Sequence, residues 1–467
     1  MGAVFALACG LMAACSSLPA RKVPLLDGSG VVQTSPVAVI AEQVTVHGRD
    51  GPLSTRAQAR SLAAVRAEGE PALVTHHLGL LAAQGDVDLY RGNATRLLVD
   101  GPATFAAMKA AIQRARGRVL LESYIVEDAG IAAEIAALLL RKAAEGVSVA
   151  MIYDAVGSIG TDTAYFDALR AGGVAVCAFN PLNPLQRPGY WNINHRDHRK
   201  LLVVDEDYAF TGGINISRVY SSGSFGSRKS GGTLDDGWRD TQIEMRGPVV
   251  TALARTFAET WTSQGCQGVL GRAAAPTAQL PGQRVVKVLA SDPADDSQRE
   301  NRIYRTLLAA LDGAQRSVHL TMAYFAPGRD MVDALSDAAR RGVEVVLVLP
   351  GSSDFPLVLH AGRSYYQELM DAGVAIHEMV HANMHAKTAV IDGVFATVGS
   401  SNMDWRSFVD NSEINVVVLG EDFGREMEAL FQRDVAVSPR ITPAAWRERG
   451  LKQRLMETVG RLTERWL

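Results

Sequence analysis

The chain has 467 residues, more than one compact domain ordinarily holds, so two or more folding units are expected. Hydrophobic residues make up 47% and charged residues 21%, a globular balance that excludes a largely disordered chain. The formal net charge of -3 offers no overall basic field, so no nucleic-acid partner is expected.

Residues 4–14 are almost wholly apolar and run into Met12-Ala13-Ala14-Cys15-Ser16. Such a run before a cysteine resembles a bacterial lipoprotein signal, with Cys15 as the lipidation site and Cys9 a weaker alternative. It is too short to span a bilayer, for which about 20 apolar residues are needed. It also lacks a positive flank, because no Lys or Arg precedes Arg21. Residues 1–15 therefore read as a signal-like segment, pointing to the bacterial cell envelope and possible anchoring through Cys15. Residues 16–84 form a polar, Ala-rich lead-in with helical composition over 55–68, where His76 and His77 read as an exposed loop or helix end.

From residue 85, helical apolar spacing such as Phe105, Met108 and Ile112 alternates with short Val- and Leu-rich runs. Helices alternating with strands predict an α/β fold with a mixed sheet flanked by helices. Cys177 follows the apolar run 174–176 and reads as inert core, with a disulfide to Cys266 as the alternative. A Gly/Ala/Pro-rich stretch over 268–282 marks a linker at 266–284. It separates a first half, 85–265, from a second, 285–437, and a C-terminal helix is expected over 438–467.

The halves repeat one another. His198-Arg199-Lys200 is followed by Asp205 and by Gly212-Gly213-Ile214-Asn215. His385-Ala386-Lys387 is followed by Asp392 and by Gly399-Ser400-Ser401-Asn402, each shared position lying 187 residues after its counterpart. Upstream, the run ending at Tyr124 parallels the run ending at Tyr324. The arrangement predicts two like sandwich halves packed about a pseudo-twofold axis, with a single composite site in one chain; oligomeric state stays open.

A strand through each motif sets His and Lys on one face. Two imidazoles with His198, Lys200, His385 and Lys387 suit phosphodiester chemistry without a metal or cofactor. One imidazole attacks phosphorus and the other carries protons to and from the alcohols. The lysines, with Asn215 and Asn402, are expected around the phosphoryl oxygens. Asp240 and Glu413 each stand seven residues before a glycine, and are expected to orient an imidazole. Asp205 and Asp392, at odd spacing from Lys, read as structural, as do Gly212, Gly213, Gly399 and Ser400 within the repeated pattern. His195 and His381 are expected no nearer than the layer behind the site. The Ser/Gly-rich residues 221–232 read as a mobile loop at its mouth.

The paired His-x-Lys-x4-Asp motifs resemble those of the phospholipase D superfamily. Further runs are similar to bacterial cardiolipin synthases: Gly237-Trp238-Arg239-Asp240-Thr241, Met384-His385-Ala386-Lys387-Thr388, and Asn411-Ser412-Glu413. Over about residues 85–460, the resemblance implies transfer of a phosphatidyl group from phosphatidylglycerol to a second phosphatidylglycerol, with His198 as nucleophile and His385 as acid/base. A hydrolase releasing phosphatidic acid uses the same groups with water as acceptor, and a nucleic-acid phosphodiesterase is the third reading. Such synthases often begin with membrane-spanning helices, where this sequence has the lipobox-like start.

A membrane surface is an expected partner. The last helix carries Leu451, Leu455, Val459, Leu462 and Trp466 at helical spacing, with Arg447, Arg449, Lys452, Arg454, Arg461 and Arg465 largely off that stripe. The stripe can lie on anionic lipid, or dock on the protein body, the commoner fate of such helices.

Overall fold

The computed structural model describes residues 40, 43–67, 70–85, 87–183, 194–224, 237–276, 280–293 and 301–466. Two-residue bridges aside, the strands of the first part are β1 (Val44–Gly48), β2 (Val87–Val99), β3 (Arg118–Ser123), β4 (Ser148–Asp154), β5 (Ala175–Phe179), β6 (Lys200–Val204), β7 (Tyr208–Gly212) and β8 (Thr241–Arg246). Those of the second part are β9 (Arg284–Ser291), β10 (Ser317–Met322), β11 (Glu344–Pro350), β12 (Ala375–Met379), β13 (Lys387–Ile391), β14 (Phe395–Gly399) and β15 (Asn411–Leu419).

Pairing gives β2-β8-β7-β6-β3-β4-β5 in the first half. It gives β9-β15-β14-β13-β10-β11-β12 in the second. In both, the strands at one end run parallel and the remainder antiparallel. The long strand β2 joins the two sheets: its far end pairs with β8, and its near end with β9 and, in parallel, β1.

Strand alternation sorts side chains into layers. Leu201 and Val203 of β6 share a central core with Ile414, Val416 and Val418 of β15. Their neighbours Leu202 and Val204 face the outer helices of the first half, while Val417 and Leu419 face those of the second. The central core is filled by α6 (Val249–Ser263), which buries Leu253, Phe257 and Trp261 there. The outer layer of the first half is α3 (Asp100–Arg114), α4 (Ile131–Ala144) and α5 (Thr163–Ala171). That of the second half is built on α7 (Arg302–Asp312), whose first turn is capped by Asn301 accepting from the Tyr304 N–H, and on α8 (Gly328–Arg340).

The lead-in packs against the distant half. Helices α1 (Thr55–Ala67) and α2 (Pro71–Ala82) bury Leu62, Val65, Val74 and Leu78 with Leu311, Phe395 and Val417. His76 and His77 are not exposed. Both are buried in α2, an almost uniformly apolar helix, where His76 Nε2 meets the Gly313 carbonyl at 2.7 Å and His77 Nε2 meets Asp392 at 2.8 Å. An imidazole is tolerated there because each finds a polar partner.

Cys177 is not free: it is disulfide-bonded to Cys266, with a Cα–Cα distance of 5.6 Å. The bond ties β5 to the segment after α6 across 89 residues of sequence, a separation too long for motif spacing to reveal. Closing a loop of that size typically contributes about 2–4 kcal/mol. A Cys177→Ser/Cys266→Ser variant is thus expected to melt at a lower temperature than the oxidised protein and at the same temperature as the reduced one, measured by thermal denaturation.

The C-terminal helix, α12 (Leu451–Thr463), docks on the body, but not through its apolar stripe. It buries Glu457 and Gly460, and leaves Leu451, Leu455, Leu462 and Trp466 exposed. Cys9, Cys15 and residues 225–232 of the expected mobile loop lie outside the described residues. Among the described residues no helix is long and apolar enough to cross a membrane.

Candidate active site

Both His-x-Lys segments leave their own half to reach the other. Arg196 and Asp197 pair in parallel with Asn411 and Ser412, and the His198 N–H donates to the Ser412 carbonyl at 2.9 Å. Reciprocally, Arg239 bridges Met384, and the His385 N–H donates to the Arg239 carbonyl at 2.7 Å. The strands proper begin at Lys200 and Lys387, so each histidine sits in the extended residue pair just before its strand.

This crossing sets each imidazole against the carboxylate of the opposite half. His198 Nδ1 lies 2.9 Å from Glu413 Oε1, and His385 Nδ1 lies 2.7 Å from Asp240 Oδ2. A carboxylate only accepts, so Nδ1 carries the hydrogen in each pair and the Nε2 lone pair is free for chemistry. Both histidines line one cleft of about 500 Å³, together with Asn215 and Asn402.

The supporting contacts differ between the pairs. Ser400 Oγ donates to Glu413 Oε2 at 2.5 Å and also accepts from the Ile414 N–H. Its counterpart Gly213 makes room: a Cβ there would stand 2.1 Å from Asp240 Oδ1. Asp240 Oδ1 instead accepts from the Thr241 N–H at 2.7 Å. Around His385, the Tyr220 hydroxyl lies 3.1 Å from Nδ1 and the Trp238 ring 5.1 Å away, whereas His198 has the edge of Tyr124 at 5.0 Å. Gly212 and Gly399 end β7 and β14, opposite Gln242 and Asn415.

Lys200 Nζ folds onto the His198 carbonyl at 2.6 Å, and Lys387 Nζ onto that of His385 at 2.5 Å. Burial, set partly against the charges of Glu413 and Asp240, lowers Lys200 to about 7 and Lys387 to about 8. Burial also lowers His198 to about 4, with Glu413 opposing and both lysines adding to the effect. His385 is lowered by burial and by Lys387. Burial pushes Glu413 up, and the charges of His198 and Lys200 with hydrogen bonds from His198 and Ser400 more than reverse it. The free site therefore holds His198 neutral at neutral pH.

Asn215 Oδ1 accepts from the Ile125 N–H and its amide donates to Tyr220, whereas Asn402 Oδ1 is buried without a partner among the described residues. Asp205 and Asp392 lie in the turns after β6 and β13, at positive φ. They accept backbone N–H groups entering β3 and β10: from Arg116, Gly117 and Arg118, and from Gln315, Arg316 and Ser317. His195 is buried behind the site, its Nε2 2.9 Å from Ser412 Oγ, while His381 is half-buried in a bend.

Sequence reasoning left out Tyr124, Tyr220, Trp238, Tyr324, Asp354 and Asp404 as site residues, and all line the cleft. The tyrosines at 124 and 324 were visible as matching repeat positions, but nothing in their spacing signalled a wall. Burial pushes the Asp404 carboxyl up to about 7, and Glu413 adds to that. Among the described residues no cluster of three or more His, Cys, Asp or Glu is arranged to hold a metal.

Two sheets of identical strand order that exchange His-x-Lys segments at a common cleft define the phospholipase D type of fold. A solved phosphatidylserine synthase from Haemophilus influenzae Rd KW20 shares that fold, with a TM-score of 0.56 at 12% identity over 80% of this chain and 95% of its own. Residues 307–435 match the family described as "Cardiolipin synthase, PLD-like domain". Cardiolipin synthase 2 of Bacillus anthracis is 33% identical over 371 residues, covering 79% of this chain and 70% of its own length. Cardiolipin synthase of Geobacillus thermodenitrificans is 34% identical over 389 residues, 83% and 74% of the two chains. The chain belongs to the cardiolipin synthase family of the phospholipase D superfamily.

Proposed function

We propose that this chain forms cardiolipin and glycerol from two molecules of phosphatidylglycerol through a phosphohistidine on His198. The observation that carries this reading is the reciprocal pairing of His198 with Glu413 and His385 with Asp240 at one cleft. Such an exchange is what halves related by a pseudo-twofold axis would produce, and it supports reading the two motifs as one site. The halves meet, in this reading, at the 266–284 linker.

In the first step His198 Nε2 attacks phosphorus and the P–O bond to glycerol breaks, its oxygen taking a proton from His385. In the second, His385 removes the proton from a hydroxyl of the incoming phosphatidylglycerol. That oxygen attacks phosphorus, the P–N bond breaks, and His198 is restored. Lys200 and Lys387, with Asn402 Oδ1 or the Asn215 amide orienting the headgroups, balance the phosphoryl charge. An anionic phosphodiester entering the cleft favours the protonated forms of both lysines and of His385.

The disulfide supports a location outside the reducing cytosol, since such bonds persist mainly in oxidising compartments. An envelope enzyme, tethered through Cys15 and acting at the membrane surface, accords with it.

Thin-layer analysis of products from labelled phosphatidylglycerol tests the reading on purified protein. Cardiolipin with glycerol is expected; phosphatidic acid without cardiolipin would establish the hydrolase instead, and plasmid nicking the phosphodiesterase. A pH profile tests the charge state. Because the first step needs His385 protonated, which burial and Lys387 disfavour, and because Lys200 and Lys387 lose their protons near 7 and 8, kcat/KM is expected to be falling already at neutral pH and to fall further through that range. The alkaline limb of kcat should lie higher, because bound phosphate holds both lysines charged. An alkaline limb of kcat/KM only near the ordinary lysine value of about 10 would contradict the role given to these groups.

A further inference from the structure

Helix α12 meets the body through one face and presents the opposite, apolar face outward. Gly460 lies against the backbone of His360 and Ala361 in α9 (Pro356–Arg363), where a Cβ would approach the Ala361 nitrogen to 2.5 Å. Glu457 is buried beside it and pairs with Arg449 at 3.0 Å. At the helical period, Leu451, Leu455, Val459 and Leu462 fall within an arc of about 80°, roughly opposite Gly460. Trp466, in the short 3-10 turn that follows, extends the row.

That row is exposed to an extent unusual for large apolar side chains: Leu451 82%, Leu455 64%, Val459 38%, Leu462 74% and Trp466 77%. A contiguous apolar strip of this kind marks an interaction surface. Its surroundings are basic. Between 447 and 466 the chain has six Arg or Lys against three Glu, although the whole protein carries -3. Arg454 and Arg461 are exposed along one flank of α12 and Lys452 along the other, and Arg447 is exposed at the end of the short helix before it.

The strip also stands beside the cleft. Helix α9, on which α12 rests, contributes Val358 to the cleft wall, and the residue before it, Phe355, is a 40%-exposed aromatic in the same wall. At the other end Arg465 stacks over Trp405, the neighbour of cleft residues Asp404 and Arg406. Glu464 fastens this end by accepting from the Gly328 N–H and the Tyr365 hydroxyl.

We infer that α12 is an interfacial anchor that seats the protein on an anionic phospholipid bilayer, apolar row inserted and flanking arginines at the headgroups, with the cleft turned to that membrane. The chemistry is that of a surface-lying amphipathic helix, where apolar burial and attraction to anionic headgroups act together. The inference deepens the proposed reaction, since a lipid with a negatively charged headgroup is the substrate in that reading, and the fixed contact with α9 couples the anchor to the cleft wall.

The test compares the full chain with its Leu455→Glu/Leu462→Glu variant, both carrying Cys15→Ser so that a lipid anchor cannot mask the helix. Vesicles of phosphatidylcholine with phosphatidylglycerol, and of phosphatidylcholine alone, are the probes in co-sedimentation. The expected result is tighter binding to the anionic vesicles, weakened about tenfold or more by the variant. The thermal midpoint and turnover of short-chain, detergent-dispersed phosphatidylglycerol should not change. Equal vesicle binding by both proteins overturns the inference. A variant that binds vesicles normally but changes sedimentation from dimer to monomer overturns it in favour of a second copy. If neither protein turns over the short-chain substrate while vesicle binding still depends on the leucines, the proposed reaction fails and the anchor stands.

Discussion

His198→Ala is expected to lower turnover of phosphatidylglycerol by about 10³-fold or more, because removing the nucleophile leaves only binding and charge stabilisation. His385→Ala should be comparably slow on the natural lipid, so rate alone does not separate the two roles. A substrate with an activated leaving group does. A p-nitrophenyl phosphodiester needs no proton at its leaving oxygen, so His385→Ala should still release a burst of nitrophenol and then stall as the phosphoryl-histidine. The trapped species should be stable in alkali and labile in acid, and peptide mapping should place it on residue 198. His198→Ala should show no burst. A label found on residue 385 would reverse the assignment. The structure gives His198 the simpler surroundings: Nδ1 has Glu413, whereas His385 Nδ1 has Asp240, Tyr220 and Lys387 within 3.1 Å.

Replacing a carboxylate by its amide is expected to act almost as severely, through a proton rather than through a lost contact. Glu413 accepts from His198 Nδ1 at 2.9 Å and is itself held by Ser400. In Glu413→Gln the side-chain NH2 can face the imidazole, favouring the tautomer with hydrogen on Nε2, which then has no lone pair for phosphorus. Wrong-tautomer variants of this kind lose about 10²–10⁴ in turnover. Asp240→Asn should slow the reaction by a similar factor. Burst experiments separate them: Glu413→Gln should lose the burst, and Asp240→Asn should keep it and lose later turnover. Ser400→Ala, which leaves the carboxylate in place, should cost far less. An unchanged thermal midpoint with these losses marks orientation of the imidazole; a collapsed one would assign Glu413 to folding.

How much of this was readable from sequence depends on the range of each interaction. The two motifs at a 187-residue offset are local patterns, and the apolar runs after Lys200 and Lys387 form β6 and β13. Glu413 and Asp240 were found because each ends a fixed distance before a glycine, and the structure sets them beside imidazoles. Long strand β2 escaped notice, since Arg91, Asn93 and Thr95 interrupt its apolar pattern while its pairing with three other strands makes up the deficit. The disulfide and the His77–Asp392 pair join residues 89 and 315 positions apart, beyond any local signal. The C-terminal row was legible as helical spacing, in a helix that spans only Leu451–Thr463, but which face docks is decided by Gly460, whose missing side chain lets α12 lie against α9.

The exchange of segments between the halves also bears on how such a site can change over time. In a symmetric pair of separate chains, one substitution alters both imidazole–carboxylate pairs at once. Here the pairs are encoded independently, and their surroundings differ: one has Glu413 with Ser400, the other Asp240 with Gly213, Tyr220 and Trp238. With both pairs encoded in one chain, each histidine can have its own surroundings, and the two can be tuned separately.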